Sequence, residues 1–309
     1  MGTVPVASFG MQGGIWMKHP DFSKFCEIAS GLGVLAVRIS QGGELIFRHN
    51  WDDDCRRNLY SATKSFTSAA VGIAQGEGLL SLDEKLTEAF PDDLPAAVNE
   101  NLKKATVRDL LTMCLGQKEA HLMGAERPFI PEDDWVKLAL SYPFPHEPGK
   151  HFVYNNVGPY LAGVLVEMRA GCDLADYLTP RLFSPLGIRK PMWERDPLGH
   201  CFGAGGLFLN LPEFHRFGEL CLADGVWEGR RLIPAEYVRE ATSKQVENGA
   251  EGYGYLFWMG KQNTARADGK YCQLSVLFRE KNAVVSMLSE CRRGDLLFDA
   301  IYREIGERL

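Results

Sequence analysis

The order of apolar patterns along the chain limits its fold more than any other feature of the sequence. Four apolar runs of strand length occur as two pairs, 34–40 with 44–50 and 273–280 with 283–290. The turns within the pairs are Gln41-Gly42-Gly43 and Lys281-Asn282, so each pair has the form of a β-hairpin. Helical patterns fill the chain between them. We therefore predict an α+β fold in which both ends of the chain build one sheet.

Helices are predicted wherever apolar residues recur at i, i+3, i+4 and i+7. The predicted helices are 20–32, 61–76, 106–116, 131–141, 157–170, 211–225 and 294–309. Gly171 follows one of them in the position typical of a helix C-cap. We expect a single domain, 1–309, with a sheet lobe from about 1–80 and 215–309. A helical lobe of about 81–214 would be inserted between these parts.

Composition argues against several classes of partner. The chain has 309 residues and is 45% hydrophobic, and its formal net charge of −6 is spread without long runs of one sign. Nucleic-acid binding needs clustered basic residues, so we expect no nucleic-acid partner. No apolar run reaches the length of a membrane span, and the N-terminus lacks the basic and apolar regions of a secretory leader. A cytoplasmic location is expected.

The cysteines and histidines do not form a recognisable metal motif. Eight cysteines are spread along the chain without a Cys-x-x-Cys pair, and the seven histidines show no His-Glu-x-x-His pattern. Several cysteines lie within apolar runs, which is typical of buried free thiols in a reducing compartment. The sequence therefore predicts neither a metal site nor a cofactor.

Ser61 and Lys64 form the only Ser-x-x-Lys in the chain, at the start of the predicted helix 61–76. A spacing of three residues places both side chains on one helix face. A serine hydroxyl becomes a good nucleophile when a neighbour accepts its proton, and lysine can do this in its neutral form. These two residues by themselves fit two interpretations equally. They are either a nucleophile with its base, or a helix N-cap followed by a solvated lysine.

Tyr154 and Asn156 form the only Tyr-x-Asn, between a Pro-Gly turn and the predicted helix 157–170. Ends of loops are frequent positions for catalytic groups. A phenol beside an ammonium group can be ionised and relay protons, and an asparagine amide can orient Lys64 and a substrate carbonyl. The alternative is a buried tyrosine followed by an asparagine helix cap.

Together, these motifs resemble those of the serine β-lactamase-like superfamily, related to class C β-lactamases and penicillin-binding proteins. Further similar segments follow in the family's order, and they are 77–86, 107–117, 146–156, 182–188 and 203–218. The resemblance extends from about residue 30 to the C-terminus. It implies an antiparallel sheet flanked by helices with an inserted helical lobe. It also implies an active site between the lobes, with Ser61, Lys64 and Tyr154 as catalytic residues and Asn156 at the substrate.

The third family motif departs from the β-lactamase pattern. Ala267 stands where β-lactamases of this type carry Lys or His, and Gly269 follows it. This variant is similar to the subgroup of 6-aminohexanoate-dimer hydrolases and related esterases. By that resemblance, Gly269 lies beside the substrate and the Lys270 N–H belongs to the oxyanion hole. Loss of the basic residue argues against β-lactams as substrates, unless Arg266 or Lys270 supplies the charge.

The predicted function is serine hydrolysis through an acyl-enzyme, with a small ester or amide as substrate. The alternatives are a β-lactamase, a D-amino-acid peptidase or transpeptidase, an acyltransferase, and a non-catalytic binding protein that retains the fold. The aromatic run at 253–259 either lines the substrate cleft or belongs to the strand core. The sequence leaves the oligomeric state open.

Overall fold

The computed structural model describes residues 20–309, and its centre is a six-stranded antiparallel sheet in the order β2-β1-β10-β9-β8-β7. The strands are β1 (Val34–Gln41), β2 (Glu44–Asn50), β3 (Arg57–Asn58), β4 (Phe208–Leu209), β5 (Val226–Trp227), β6 (Arg230–Arg231), β7 (Trp258–Gly260), β8 (Thr264–Gly269), β9 (Gln273–Phe278) and β10 (Ala283–Ser289). Two-stranded pairs are formed by β3 with β4 and by β5 with β6. Both predicted hairpins are therefore present in one sheet.

Helices cover the sheet and fill the middle of the chain. They are α1 (Ser23–Gly31), α2 (Thr63–Gly76), α3 (Leu86–Ala89), α4 (Glu100–Lys104), α5 (Val107–Leu111), α6 (Trp135–Ser141), α7 (Val157–Ala170), α8 (Leu174–Leu178), α9 (Leu211–Leu222), α10 (Ala235–Ala241) and α11 (Gly294–Ala300). Single 3₁₀ turns occur at Tyr60–Ala62, Arg127–Phe129 and Arg279–Lys281. Wider π turns occur at Thr179–Phe183 and Ile301–Gly306. The predicted α+β class is confirmed.

Alternation along the strands separates two apolar cores. On β1, Val37 and Ile39 face a core that includes Phe25 of α1 and Leu297 of α11. Ala36 faces the opposite core, which α2, α7 and α9 share. Strands β9 and β10 are buried along their whole length because both faces are covered. The sheet is thus the middle layer of three.

Helix α2 is buried from Thr63 to Ala74 and runs through the larger core. The ring of Phe66 stacks on Phe217 of α9 with centroids 3.8 Å apart. Gly72 permits close contact with α10, since a β-carbon there would lie 2.4 Å from the Tyr237 ring. A helix buried on all sides has little freedom to move, so the residues at its N-terminus are held in fixed positions.

Several predicted boundaries were wrong; helix α6, for example, begins at Trp135 and not at residue 131. Helix α2 begins at Thr63, and Ser61 lies in the preceding 3₁₀ turn. The helix predicted over 106–116 ends at Leu111, because Met113 adopts the left-handed conformation with φ 61°. The turn between β9 and β10 is longer than two residues and ends at Asn282, with φ 47°.

Within residues 20–309, no helix is both long enough and apolar enough to cross a membrane. Residues 1–19 lie outside the described residues. They include the first part of the predicted sheet lobe and the N-terminal segment that lacks the pattern of a secretory leader.

Candidate active site

Ser61 lies in a turn held by the short pair β3–β4. The backbone N–H of Leu59 donates to the Leu207 carbonyl at 2.9 Å, which continues this pair. Tyr60 has a left-handed backbone with φ 47°, and its N–H donates to Asn58 Oδ1 at 2.7 Å. Left-handed backbone is costly for a tyrosine, so the surrounding structure must stabilise this turn. The turn leaves Ser61 half-buried at the entrance to α2.

Lys64 is 1% exposed and its ammonium group has three acceptors. Nζ lies 3.1 Å from Ser61 Oγ, 2.7 Å from Asn156 Oδ1 and 2.7 Å from the Ala204 carbonyl oxygen. Burial, followed by repulsion from the Arg127 guanidinium, lowers the pKa of Lys64 to about 7. Close to neutral pH, a substantial fraction of this lysine is therefore an uncharged amine in hydrogen-bonding contact with the serine hydroxyl.

Two hydroxyl groups of α2 hold the loop that supplies the Ala204 carbonyl. Thr67 Oγ1 donates to the Gly203 carbonyl at 2.7 Å, and Thr63 Oγ1 accepts from the Leu207 N–H at 3.2 Å. These bonds tie both ends of the loop to the helix that carries Lys64. The lysine and its carbonyl partner therefore belong to one rigid unit.

Tyr154 is half-buried on the loop before α7, and Lys64 Nζ lies 5.0 Å from the centroid of its ring. Burial raises the pKa of Tyr154, and the adjacent Ser61 side chain opposes this shift. The phenol is therefore protonated at neutral pH. The sequence also allowed an ionised phenolate at this position. The raised pKa favours the neutral phenol, which can donate a proton.

Asn156 is buried between the lysine and the loop at 121–123. Its Oδ1 accepts from Lys64, and its Nδ2 donates to the Leu122 carbonyl at 2.9 Å. The neighbouring Asn155 accepts from the His121 N–H at 3.0 Å and donates to Gln117 Oε1 at 2.7 Å. The second asparagine of the motif thus contacts the lysine, and the first fixes the loop.

Gly269 ends β8 directly against the Ser61 turn. A β-carbon there would lie 2.1 Å from the Leu59 carbonyl oxygen and 3.1 Å from the Ala62 nitrogen. Lys270 follows in the exposed turn to β9, and its Nζ lies 5.0 Å from the Tyr271 ring centroid. The backbone after Gly269 therefore lies beside the candidate nucleophile, and the Lys270 side chain lies in solvent.

Ala267 and Arg266 point to opposite faces of β8. Ala267 belongs to the larger core and is 1% exposed. Arg266 donates to Asp268 Oδ2 at 2.9 Å and to the Met259 carbonyl at 2.8 Å, and its guanidinium lies 4.6 Å from the Phe298 ring centroid. Because Arg266 is committed to these partners, it does not replace the basic residue that Ala267 lacks.

The structure adds a charged pair beside the Ser61 turn that no sequence pattern indicated. Both terminal nitrogens of Arg127 lie 3.3 Å from Glu194 Oε2, and Asn58 Nδ2 donates to Glu194 Oε1 at 3.2 Å. The Arg127 guanidinium also stacks on the Phe202 ring at 4.1 Å. Glu194 therefore links the 3₁₀ turn at Arg127–Phe129 to Asn58, which accepts the hydrogen bond from the Tyr60 N–H.

The aromatic run at 253–259 is divided between the surroundings of Tyr154 and the core. Trp258 is half-buried and packs on Tyr154 with ring centroids 5.2 Å apart. Tyr253 is buried beneath them, 4.9 Å from the Trp258 ring. Tyr255 is fully buried, and its hydroxyl contacts Glu240 and Arg108 away from Ser61. Trp258 thus borders the candidate site, whereas Tyr255 belongs to the core.

The layered sheet, the inserted helices and the cluster around Ser61 define the class of β-lactamase and penicillin-binding-protein folds. Residues 27–306 match the family described as Beta-lactamase. The chain therefore belongs to the β-lactamase family of serine hydrolases.

Relatives with assigned names match only part of the chain. D-aminopeptidase of Brucella anthropi is 29% identical over 173 residues, which cover 51% of this chain and 32% of that protein. Monacolin J acid methylbutanoyltransferase of Aspergillus terreus is 31% identical over 162 residues, which cover 44% of this chain and 37% of that protein. The match thus spans about a third of the length of each relative.

A solved structure extends the likeness over the whole fold. A putative 6-aminohexanoate-dimer hydrolase from Bacillus anthracis superposes with a TM-score of 0.77 and 17% identity. The superposition covers 95% of this chain and 82% of that one. The family and fold implied by the sequence motifs are therefore confirmed.

Proposed function

We propose that this protein forms an acyl-enzyme at Ser61 and transfers the acyl group to water. The observation that carries this proposal is the contact between Lys64 Nζ and Ser61 Oγ at 3.1 Å. A lysine with a pKa of about 7 can accept the serine proton as Oγ attacks a carbonyl. Asn156 orients the amine, and the backbone N–H groups of Ser61 and Lys270 receive the oxyanion.

Tyr154 is assigned the second proton transfer. A protonated phenol close to Ser61 can donate its proton to the leaving alcohol or amine as the acyl-enzyme forms. Lys64 then returns a proton to Tyr154 and accepts one from the attacking water. As the bond between the acyl carbon and Ser61 Oγ breaks, Lys64 passes this proton to Oγ. The serine hydroxyl, the neutral amine and the phenol are then all restored as the carboxylic acid leaves.

A small ester or amide is the proposed substrate. Ala267 supplies no charge at the position where the β-lactamase motif has Lys or His, and Arg266 is held by Asp268 and the Met259 carbonyl. Without a cation at that point, a substrate carboxylate gains little from binding there. Short-chain p-nitrophenyl esters should be hydrolysed, and a chromogenic cephalosporin should not. Turnover of the cephalosporin alone would favour the β-lactamase interpretation.

The nucleophile is tested by labelling with a fluorophosphonate probe and by mass spectrometry of the adduct. The wild-type protein should be labelled at Ser61, and Ser61→Ala should not be labelled. Ser65→Ala is a matched control because Ser65 lies on the same helix, with Oγ donating to the Leu256 carbonyl at 2.9 Å. Labelling of Ser61→Ala at the wild-type level excludes the assignment. Absence of labelling in the wild type supports a non-catalytic binding protein.

Transfer of the acyl group to an alcohol or amine is a second candidate function. It is favoured by the similarity to a methylbutanoyltransferase, whose name describes transfer of an acyl group. Adding a small alcohol to the ester assay separates the two outcomes. An acylated alcohol as the main product indicates a transferase, and free acid as the main product indicates a hydrolase.

A further inference from the structure

Three arginines lie together at the edge of the sheet far from Ser61. Arg38 of β1 and Arg48 of β2 are direct partners across the two strands. Arg38 is also paired with Ser286 of β10, whose Oγ lies 2.9 Å from His215 Nδ1 of α9. Since paired residues share a face, Arg38 points to the side of the sheet that α9 covers. Arg216 of α9 is close enough to Arg38 for the two positive charges to repel each other.

No carboxylate forms an ion pair with these three arginines in the part of the chain that the structure describes. Within residues 20–309, no carboxylate oxygen lies within 4.0 Å of any of the three guanidinium groups, and residues 1–19 contain neither Asp nor Glu. Two carboxylates, Glu219 and Asp54, act on Arg38 from a longer distance. Glu219 is itself drawn to His215, with Oε1 3.4 Å from Nε2. Like charges placed directly opposite each other across two strands destabilise a sheet.

Donor atoms in the cluster also lack acceptors. The Nε atoms of Arg38 and Arg216 are buried without a hydrogen-bond partner, and they are two of three such side-chain atoms in residues 20–309. The one bond from Arg216 is long, 3.4 Å from its terminal nitrogen to the Gly187 carbonyl. Burial and the charge of Arg48 lower the pKa of Arg38, Glu219 and Asp54 oppose this shift, and Arg216 adds to it. An unpaired buried donor is costly unless a ligand supplies the acceptor.

We propose that Arg38, Arg48 and Arg216 form a binding site for a phosphate group. Guanidinium groups bind phosphate through paired N–H donors and keep their charge at any physiological pH. A carboxylate has two oxygens in one plane, which a single arginine can satisfy. A phosphate has more oxygens in a tetrahedral arrangement and a charge near −2, so it can accept from three guanidiniums at once.

The site is separate from the candidate active site. Strands β10 and β9 lie between β1 and β8 in the sheet, which places the two sites about 15 Å apart at the usual strand spacing. Phosphate binding should therefore not block access to Ser61. Phosphate binding changes the melting temperature and can be measured by calorimetry, and neither measurement depends on the proposed acyl-enzyme chemistry.

The test uses the full chain with inorganic phosphate and with ribose 5-phosphate as probes. Phosphate should raise the melting temperature above its value in chloride at equal ionic strength. Arg38→Gln and Arg216→Gln should each weaken binding measured by titration calorimetry by at least about tenfold. In chloride, both variants should melt at or above the wild-type temperature, because they relieve repulsion. This result separates loss of a ligand site from damage to the fold.

Arg230→Gln is the matched control, because Arg230 is an exposed arginine on the separate pair β5–β6. It should bind both probes as the wild type does. Tighter binding of ribose 5-phosphate than of free phosphate would identify an organic phosphate as the ligand class, and equal affinity would identify the ion itself. The proposal is wrong if neither probe stabilises the protein beyond chloride, or if Arg38→Gln and Arg216→Gln retain wild-type affinity.

Discussion

Gly269 and the carbonyl of Leu59 are in such close contact that a β-carbon at position 269 would lie 2.1 Å from the oxygen. The end of β8 is thereby set against the backbone that leads into Ser61. This contact determines the distance between the serine and the N–H groups that follow Gly269. A glycine is required here because of close approach, and no left-handed backbone is involved at this position.

Gly269→Ala should therefore lower the rate of acylation more than it lowers the stability of the fold. The new methyl group should push β8 away from the Ser61 turn. The Lys270 N–H, which is the proposed oxyanion donor, should then move out of reach. We expect the acylation rate to fall by about 10²–10³-fold, the usual cost of one lost oxyanion donor. Burst kinetics with a p-nitrophenyl ester measure this rate. Gly31→Ala is the control, since nothing lies within 4 Å of a β-carbon there, and it should acylate normally.

The rate of acylation should rise with pH through about 7. The pKa of Lys64 is lowered to about 7, so the lysine is protonated below this pH and a neutral base above it. Lys64→Arg keeps a charged group in the same place but cannot lose its proton, so acylation should fall by at least about 10²-fold at every pH. A wild-type profile that is flat between pH 5 and 9, measured by burst amplitude and rate, would exclude Lys64 as the base.

Stability should depend on pH through the same residue. The folded-state pKa of Lys64 lies near 7 and its ordinary value is 10.5, so between these values the unfolded chain binds more protons. The free energy of unfolding therefore rises with pH in this window and does not respond to Lys64 below it. Urea denaturation of the wild type and of Lys64→Met at about pH 7 and pH 9 measures the effect. Equal pH dependence in the two proteins would contradict the lowered pKa.

Tyr154→Phe should lower kcat and leave KM nearly unchanged. The pKa of Tyr154 is raised by burial, so the phenol is a proton donor at neutral pH, and its removal affects the leaving group in the transition state. We expect a loss of about 10²–10⁴-fold with poor leaving groups. Esters whose leaving group needs no proton should lose much less. A loss of the same size with all leaving groups would argue for a structural role.

Glu194→Ala should slow acylation although Glu194 does not contact Ser61. The substitution removes the acceptor shared by Arg127 and Asn58, and Asn58 holds the left-handed Tyr60. We expect about a tenfold lower acylation rate with an unchanged KM, because the serine is less well positioned. Glu194→Gln retains one acceptor for Asn58 and should recover most of the rate. A full wild-type rate in the alanine variant would show that the Tyr60 turn does not need this support.

The motifs of the site could be found from the sequence because each is local. Ser61 and Lys64 are three residues apart, and Tyr154 and Asn156 are two apart, so their mutual spacing follows from short-range geometry. The hairpins and the helices longer than two turns were also predicted, since alternating and helical periods are local properties. The start of α2 was predicted two residues too early, at Ser61, because the turn at Tyr60–Ala62 depends on Asn58 and Glu194.

What the sequence by itself determined is the two hairpins, the longer helices, the order of these elements, and the motifs that resemble the β-lactamase family. Only the tertiary structure decided the protonation of Lys64 and Tyr154, because burial that shifts a pKa comes from residues distant in the chain. It alone showed that Arg266 packs on the Phe298 ring and that Glu194 joins Arg127 to Asn58. Contacts of this kind join residues that are far apart in sequence, and no short-range pattern encodes them.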